Sequence, residues 1–187
     1  MRTVASGKAI SIIGFRDVKI GDVNAFFERI KTEISTAKVQ MFNAAMIAGE
    51  LHLLFAFLNA QRSFESGRAI SESIEMETLL FASGKRQINR AIEMLGLKPK
   101  TSNVAIILFA ASLEELKEAE KRVFCLLSGK RDDSVMEVKD RYKVEDLMRT
   151  FEISNLELNT LTGSDITLNE ALIRLIVERT ALLAIKR

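Results

Sequence analysis

Two hydrophobic rhythms divide this chain: short unbroken apolar runs, and apolar stripes that recur at helical spacing. Ala9–Phe15 (AISIIGF) and Asn103–Ala110 (NVAIILFA) are continuous apolar runs and predict buried strands. Lys38–Ala45 (KVQMFNAA) predicts another strand. Asp22 is placed to cap a helix through Ile34, with Val23, Phe26, Phe27, Ile30 and Ile34 on one face. Gly49–Phe64 predicts a long helix. Its stripe runs through Leu51, Leu54, Phe55, Leu58 and Arg62 and is widened by Leu53, Phe57 and Phe64. Gly67 suits the left-handed position after that helix.

Glu75–Ala82 predicts a shorter helix that ends near Ser83-Gly84. Arg86–Leu95 predicts the next, with Ile88, Ala91, Ile92 and Leu95 inward; Gly96 suits its end and Pro99 bars continuation. Ser112-Leu-Glu-Glu115 is a capping box that opens a helix to Leu127, where Ser128-Gly129 stops it. Lys130–Asp133 reads as a charged loop, Val135–Val138 as a short strand and Val144–Phe151 as a helix, while Asn155–Leu161 is ambiguous. Thr167-Leu-Asn-Glu170 is a second capping box and launches a last helix to about Lys186. No repeat or linker interrupts the pattern, and strands and helices follow no regular βαβ rhythm. The expected fold is α+β: a small, mostly antiparallel sheet surrounded by about six to eight helices in a single domain, residues 1–187.

Composition narrows the function classes. Of the 187 residues, 48% are apolar and 28% charged, which suits a globular core and argues against disorder. The formal net charge of +2 is too small for a broadly basic nucleic-acid surface, so any RNA contact must be a local patch. The single cysteine, Cys125, excludes an internal disulfide framework and fits a reducing, cytoplasmic setting. Residues 1–8 contain no apolar signal-like core. No apolar run reaches the roughly 18–20 residues of a membrane span, so no membrane role is expected. Tryptophan is absent, which disfavours an aromatic base-stacking platform, although Phe can still stack.

The usual catalytic constellations are missing. With one histidine, His52, a multi-histidine zinc site is impossible, and no metal or cofactor is expected. Cys125 lies among Val123, Phe124, Leu126 and Leu127, where a thiol reads as inert core rather than as the partner of His52. Neither Ser83-Gly-Lys-Arg86 nor Ser128-Gly-Lys130 has the leading glycine of a phosphate-binding loop, and no GxGxxG occurs. The chain does not read as an enzyme.

Two features remain. At Ser83-Gly84-Lys85-Arg86-Gln87, two cations sit at or near a helix start, where the helix dipole favours anions. A phosphate or an RNA terminus could be held there by free N–H groups, Lys85 and Arg86, with Gln87 and Asn89 adding hydrogen bonds. The plainer reading is a solvated turn carrying two surface cations. His52, on the preceding long helix, either faces the same cleft or is a partly buried histidine bonded to backbone. The second feature is the C-terminal helix (NEALIRLIVERTALLAIK). Its polar side is one stripe, Glu170, Arg174 and Glu178; the rest is apolar over far more than the stripe that packing on one core requires. Either it is buried within the domain or one flank docks on a partner.

The run GELHLLFAFLNAQRSFESG, then METLLFASGKRQINRAIEMLGL, then NVAIILFA resembles the Cgi-type regulatory subunit of the KEOPS complex, the PRPK-binding protein family. The matching pattern is a glycine-led, histidine-containing helix (Gly49, His52, Leu53, Ala56, Ala60). An E-x-L-L element (Glu77, Leu79, Leu80), a G-x-R-Q-I turn (Gly84, Arg86, Gln87, Ile88) and an A-I-x-x-x-G helix end (Ala91, Ile92, Gly96) follow in order. The likeness is dense over residues 38–110 and thinner elsewhere.

The resemblance implies a non-catalytic role in making threonylcarbamoyl-adenosine in tRNA. Such a subunit binds and stimulates the complex's small kinase/ATPase subunit directly. It meets the carbamoyltransferase subunit indirectly and captures tRNA through its 3′ CCA end. On that reading His52, Lys85, Arg86, Gln87 and Asn89 are candidates for tRNA. Leu172, Leu175, Ile176, Arg179, Leu182 and Leu183 are candidates for the kinase. The alternative is a pure protein-interaction adaptor with no RNA contact.

Overall fold

Strands β1 (Arg2–Ala5) and β2 (Lys8–Arg16) form a hairpin whose two turn residues, Ser6 and Gly7, have φ of 50° and 70°. Left-handed backbone at both positions matches the right-handed twist of the flanking strands. In chain order there follow α1 (Val23–Glu33), β3 (Lys38–Asn43), α2 (Gly49–Glu65), α3 (Ile74–Ser83), α4 (Ile88–Leu95), β4 (Val104–Ala110), α5 (Leu113–Leu126), β5 (Lys130–Arg131), α6 (Arg141–Thr150), α7 (Asn155–Leu161) and α8 (Leu168–Leu182). The computed structural model describes residues 1–163 and 165–185. Among the described residues there are eight α-helices and one five-stranded sheet, an α+β architecture with every strand pairing antiparallel. The contacts gather into two compact units.

Unit one comprises Met1–Ala44 and Gly96–Val135 and contains the whole sheet, in order β1-β2-β4-β3, with β5 paired to the end of β2. β2 and β4 are buried along nearly their whole length, which is why both read as unbroken apolar runs. One core joins Ile13, Phe15, Ile106 and Leu108 of these strands to Ile30, Ile34, Leu116, Ala119 and Val123. Asp22 caps α1, Ser112 and Glu115 close the capping box of α5, and Val23, Phe26 and Phe27 pack on the core as the spacing predicts.

Where the end of β2 meets the segment 130–135, a close approach requires Gly14. A Cβ there would lie 2.4 Å from the Asp132 carbonyl oxygen. The Gly14 N–H instead donates to Asp133 Oδ1 at 2.9 Å, and Asp132 N–H donates to the Gly14 carbonyl at 2.8 Å. These bonds overturn two expectations. Lys130–Asp133 is not simply a loop, because Lys130 and Arg131 pair with Arg16 and Phe15; and the strand expected at Val135–Val138 is replaced by a 3-10 turn, Asp133–Met136.

Unit two comprises Ala45–Leu95 and the chain from Met136 onward, and is helical. α2 packs against α3 and α8, α4 packs against α3, and α6 and α7 also lean on α8. The buried face of α2 is His52, Leu53, Ala56, Phe57, Ala60 and Gln61. This corrects the predicted stripe: Leu51 and Phe55 are exposed. α2 is apolar on most sides, so spacing alone does not choose the inward face. The small residues Ala56 and Ala60 choose it, by letting neighbouring helices approach.

α4 is corrected in the same way, with Ala91 and Leu95 buried but Ile88 and Ile92 exposed. Ser154–Glu157 forms a capping box that starts α7 in the stretch whose sequence was ambiguous. The capping box at Thr167–Glu170 starts α8, and the predicted end of that helix near Lys186 lies outside the described residues.

Candidate functional site

The site lies within the second unit, where α3 ends. Ser83 is the last helical residue, and Gly84 caps the helix in the left-handed region (φ 63°), its N–H donating to the Phe81 carbonyl at 3.0 Å. The Ser83 hydroxyl donates to the Leu80 carbonyl at 2.9 Å and accepts from Lys85 N–H at 3.2 Å, which fixes the direction in which Lys85 leaves the turn. A Cβ on Gly84 would lie 3.3 Å from the Arg179 carbonyl oxygen, so a glycine lets this turn pass close to α8.

His52 holds the turn from beneath. Its ring is fully buried, with Nδ1 accepting from Ala48 N–H at 3.2 Å and Nε2 2.8 Å from the Ala82 carbonyl. A carbonyl only accepts, so the hydrogen is on Nε2 and the ring is neutral. Burial pushes its pKa down to about 4, with the positive charge of Lys143 opposing protonation further. Lys143 itself is pushed down to about 8 by burial. The Phe151 ring stands edge-on to His52 at 5.4 Å between centroids. His52 therefore touches Ala82, the residue before Ser83, and Phe151, the residue before Glu152, behind the two walls of a cleft.

That cleft encloses about 260 Å³. Ser83, Gly84 and Lys85 form one wall, and Thr150, Phe151 and Glu152 another. Arg179 and Leu182 of α8 complete it. Lys85 Nζ pairs with Glu152 Oε1 at 3.0 Å. Arg179 pairs with Glu157, whose carboxyl is held down to about 2, first by the Ser154 backbone N–H of the capping box and then by Arg179. The cleft lining holds two cations, the hydroxyls of Ser83 and Thr150, and Leu182 beside the largely buried Phe151. It can take an anion attached to a flat or apolar group, and nothing in it resembles a nucleophile with a base. Among the described residues no three His, Cys, Asp or Glu side chains are placed to hold a metal ion.

The structure distributes the sequence candidates unevenly. Lys85 lines the cleft, and Arg86, Gln87 and Asn89 are exposed beside it. Gln87 is the residue whose carbonyl accepts from Ala91 N–H at 3.0 Å, so α4 begins at Ile88 and both cations precede it rather than occupy its first turn. His52 is a wholly buried, backbone-bonded histidine, so it can position the turn but does not reach a ligand. Of the six candidates on and beyond α8, Leu172, Leu175, Ile176 and Leu183 are buried. The helix is apolar on so many sides because it packs against α2, α3, α6 and α7 together. Arg179 and Leu182 instead face the cleft. Cys125 is exposed on α5, not core.

Sequence reasoning missed Thr150 and Glu152, and no local signal marks either. It also placed inward two exposed apolar pairs at i,i+4 spacing, Leu51 with Phe55 and Ile88 with Ile92.

Comparison with known proteins bears directly on this helical unit and on the sheet. The sequence model of a family described as kinase binding protein CGI-121 matches residues 15–184. The chain belongs to the CGI-121 family. A relative, the regulatory protein Cgi121 of Methanocaldococcus jannaschii, is 35% identical over 114 residues, which cover 60% of this chain and 70% of that protein. Family membership agrees with the resemblance read from the sequence and supports a regulatory, kinase-binding role. Among the described residues no helix is long and apolar enough to cross a membrane.

Proposed function

We propose that this member of the CGI-121 family is a non-catalytic subunit of the KEOPS complex. It binds and stimulates the complex's small kinase/ATPase subunit and recruits tRNA through its 3′ CCA end. The observation that carries the RNA part is the cleft lined by both Lys85 and Arg179, with Arg86, Gln87 and Asn89 exposed next to Lys85 in the chain. Capture of an RNA terminus needs a few cations and hydrogen bonds to unstacked bases, not a wide basic face, and so accords with a net charge of only +2. Leu182 offers apolar surface beside the largely buried Phe151, and Lys85 and Arg179 offer charge to the backbone.

The kinase contact belongs on surface that the helical unit leaves uncovered. Leu51 and Phe55 of α2 and Ile88 and Ile92 of α4 are large exposed apolar residues of the kind that anchor protein interfaces. The test pairs two readouts in the assembled complex, kinase-subunit ATPase rate and tRNA retention. Lys85→Glu with Arg86→Glu should abolish tRNA retention while leaving kinase binding intact. A variant that keeps full tRNA retention points to the adaptor reading, in which this turn makes no RNA contact.

A further inference from the structure

Glu152 occupies a position that its residue type does not favour. It follows α6 and Phe151, and Ile153 N–H turns back to the Met148 carbonyl at 2.8 Å, the closing bond of a helix end. That geometry puts Glu152 at φ 56°, a left-handed conformation in which glycine or asparagine is usual. Packing does not explain the exception, since the Glu152 side chain is 78% exposed. What the strained backbone does achieve is to carry the carboxylate across the cleft mouth onto Lys85 Nζ. A local rule broken at a cleft marks a site whose demands differ from those of folding.

The other cation of the cleft is held differently. Glu157 binds Arg179 through Oε1 while its Oε2 closes the capping box of α7, so it is committed to the helix start.

We propose that Glu152 is a built-in counter-ion of the cleft: its carboxylate holds Lys85 while the cleft is empty and is displaced when a phosphate group enters. The proposal rests on the reading of the cleft as an anion site and adds a regulatory element to it. The competitor raises the threshold for binding, so that weakly bound anions fail to displace it and a phosphate that also engages Arg179 succeeds. Because the Glu152 side chain is 78% exposed, the pair is well screened and its displacement sets a modest barrier, about two- to five-fold in affinity.

The test titrates the full-length protein, isotopically labelled for amide spectra, with a short RNA ending in CCA and separately with inorganic phosphate. Wild type is compared with Glu152→Gln, Glu152→Asn, Lys85→Gln and the double variant Lys85→Gln with Glu152→Gln. Asparagine keeps the left-handed backbone comfortable and so controls for distortion. Both single changes at Glu152 should tighten phosphate binding about two- to five-fold, and the gain should vanish when Lys85 is already Gln. Unchanged or weaker phosphate binding in both Glu152 variants overturns the proposal, even if the RNA still binds and the capture reading survives. A gain for phosphate with no RNA binding in any variant upholds the counter-ion and removes the CCA end as its ligand. Amide spectra at Gly84 and Lys85 that respond to neither probe overturn both.

Discussion

His52 Nε2 lies 2.8 Å from the Ala82 carbonyl oxygen, and through that bond the first turn of α2 grips the end of α3 one residue before the Ser83-Gly84 turn. On the other side of the ring Nδ1 accepts from Ala48 N–H, which only a neutral ring can do, and burial keeps it neutral.

The folded pKa of His52, about 4, lies below its ordinary value of 6.5, so the unfolded chain takes up the proton first as pH falls. The stability that neutral His52 supports is present in full above pH 6.5 and drains away between about 6.5 and 4, with Lys143 charged throughout that window. The loss amounts to about 3 kcal/mol across the window. Urea unfolding at intervals from pH 7 to pH 4 measures it. His52→Gln should be less stable at pH 7 and should show a shallower decline than wild type; parallel declines would contradict the assignment.

Gly84 meets two constraints at once, a φ of 63° and a Cβ approach of 3.3 Å to the Arg179 carbonyl. Gly84→Ala should therefore destabilise by about 1–2 kcal/mol and shift the Lys85 and Arg179 side chains relative to each other. Thermal unfolding gives the first effect. Amide shifts confined to residues around 84 and 179 give the second.

The elements of the fold were readable wherever a local rule acts alone. Asp22, Ser112 and Thr167 each start the helix that the capping pattern predicts, and the continuous apolar runs are the buried strands β2 and β4. What could not be read is the choice among faces. α2 and α8 are apolar on most sides, so the facts that Leu51 and Phe55 are exposed and that Leu172 and Ile176 are core depend on which helices surround them. The cleft was half visible. The unusual turn at Gly84-Lys85 is marked by its residues, whereas Glu152 reaches it only through tertiary structure and a backbone conformation that its residue type does not advertise. β1 was missed because its polar alternation is short, although Ser6-Gly7 is a hairpin signal.

Leu172 and Ile176 of α8 are buried, whereas Leu51 and Phe55 of α2 are exposed. Leu172→Ala and Ile176→Ala should each destabilise by about 2–5 kcal/mol, with any loss of kinase binding tracking the fraction unfolded. Leu51→Asp with Phe55→Asp alters exposed positions. It should leave the melting temperature nearly unchanged while weakening the kinase complex at least about tenfold. Calorimetry and equilibrium binding on the same preparations tell the two classes apart.

In the sheet unit, Gly14→Ala places a methyl group 2.4 Å from the Asp132 carbonyl, a backbone atom that cannot rotate away. The expected result is a destabilisation of about 2–3 kcal/mol or more, with loss of the Gly14–Asp133 and Gly14–Asp132 hydrogen bonds. Hydrogen exchange should quicken at Gly14 and Asp132 and stay slow in the β2–β4 ladder before Gly14.

On the proposed function, this kinase-binding protein also holds the end of tRNA at the Lys85 cleft. The measurement that meets it most directly is equilibrium binding of intact tRNA and of the same tRNA lacking its CCA end, at two salt concentrations. Binding should need the CCA end at both salts and be lost in the Lys85→Glu, Arg86→Glu variant. Equal, weak binding of both tRNAs that disappears at the higher salt would be charge attraction without recognition, and would contradict it.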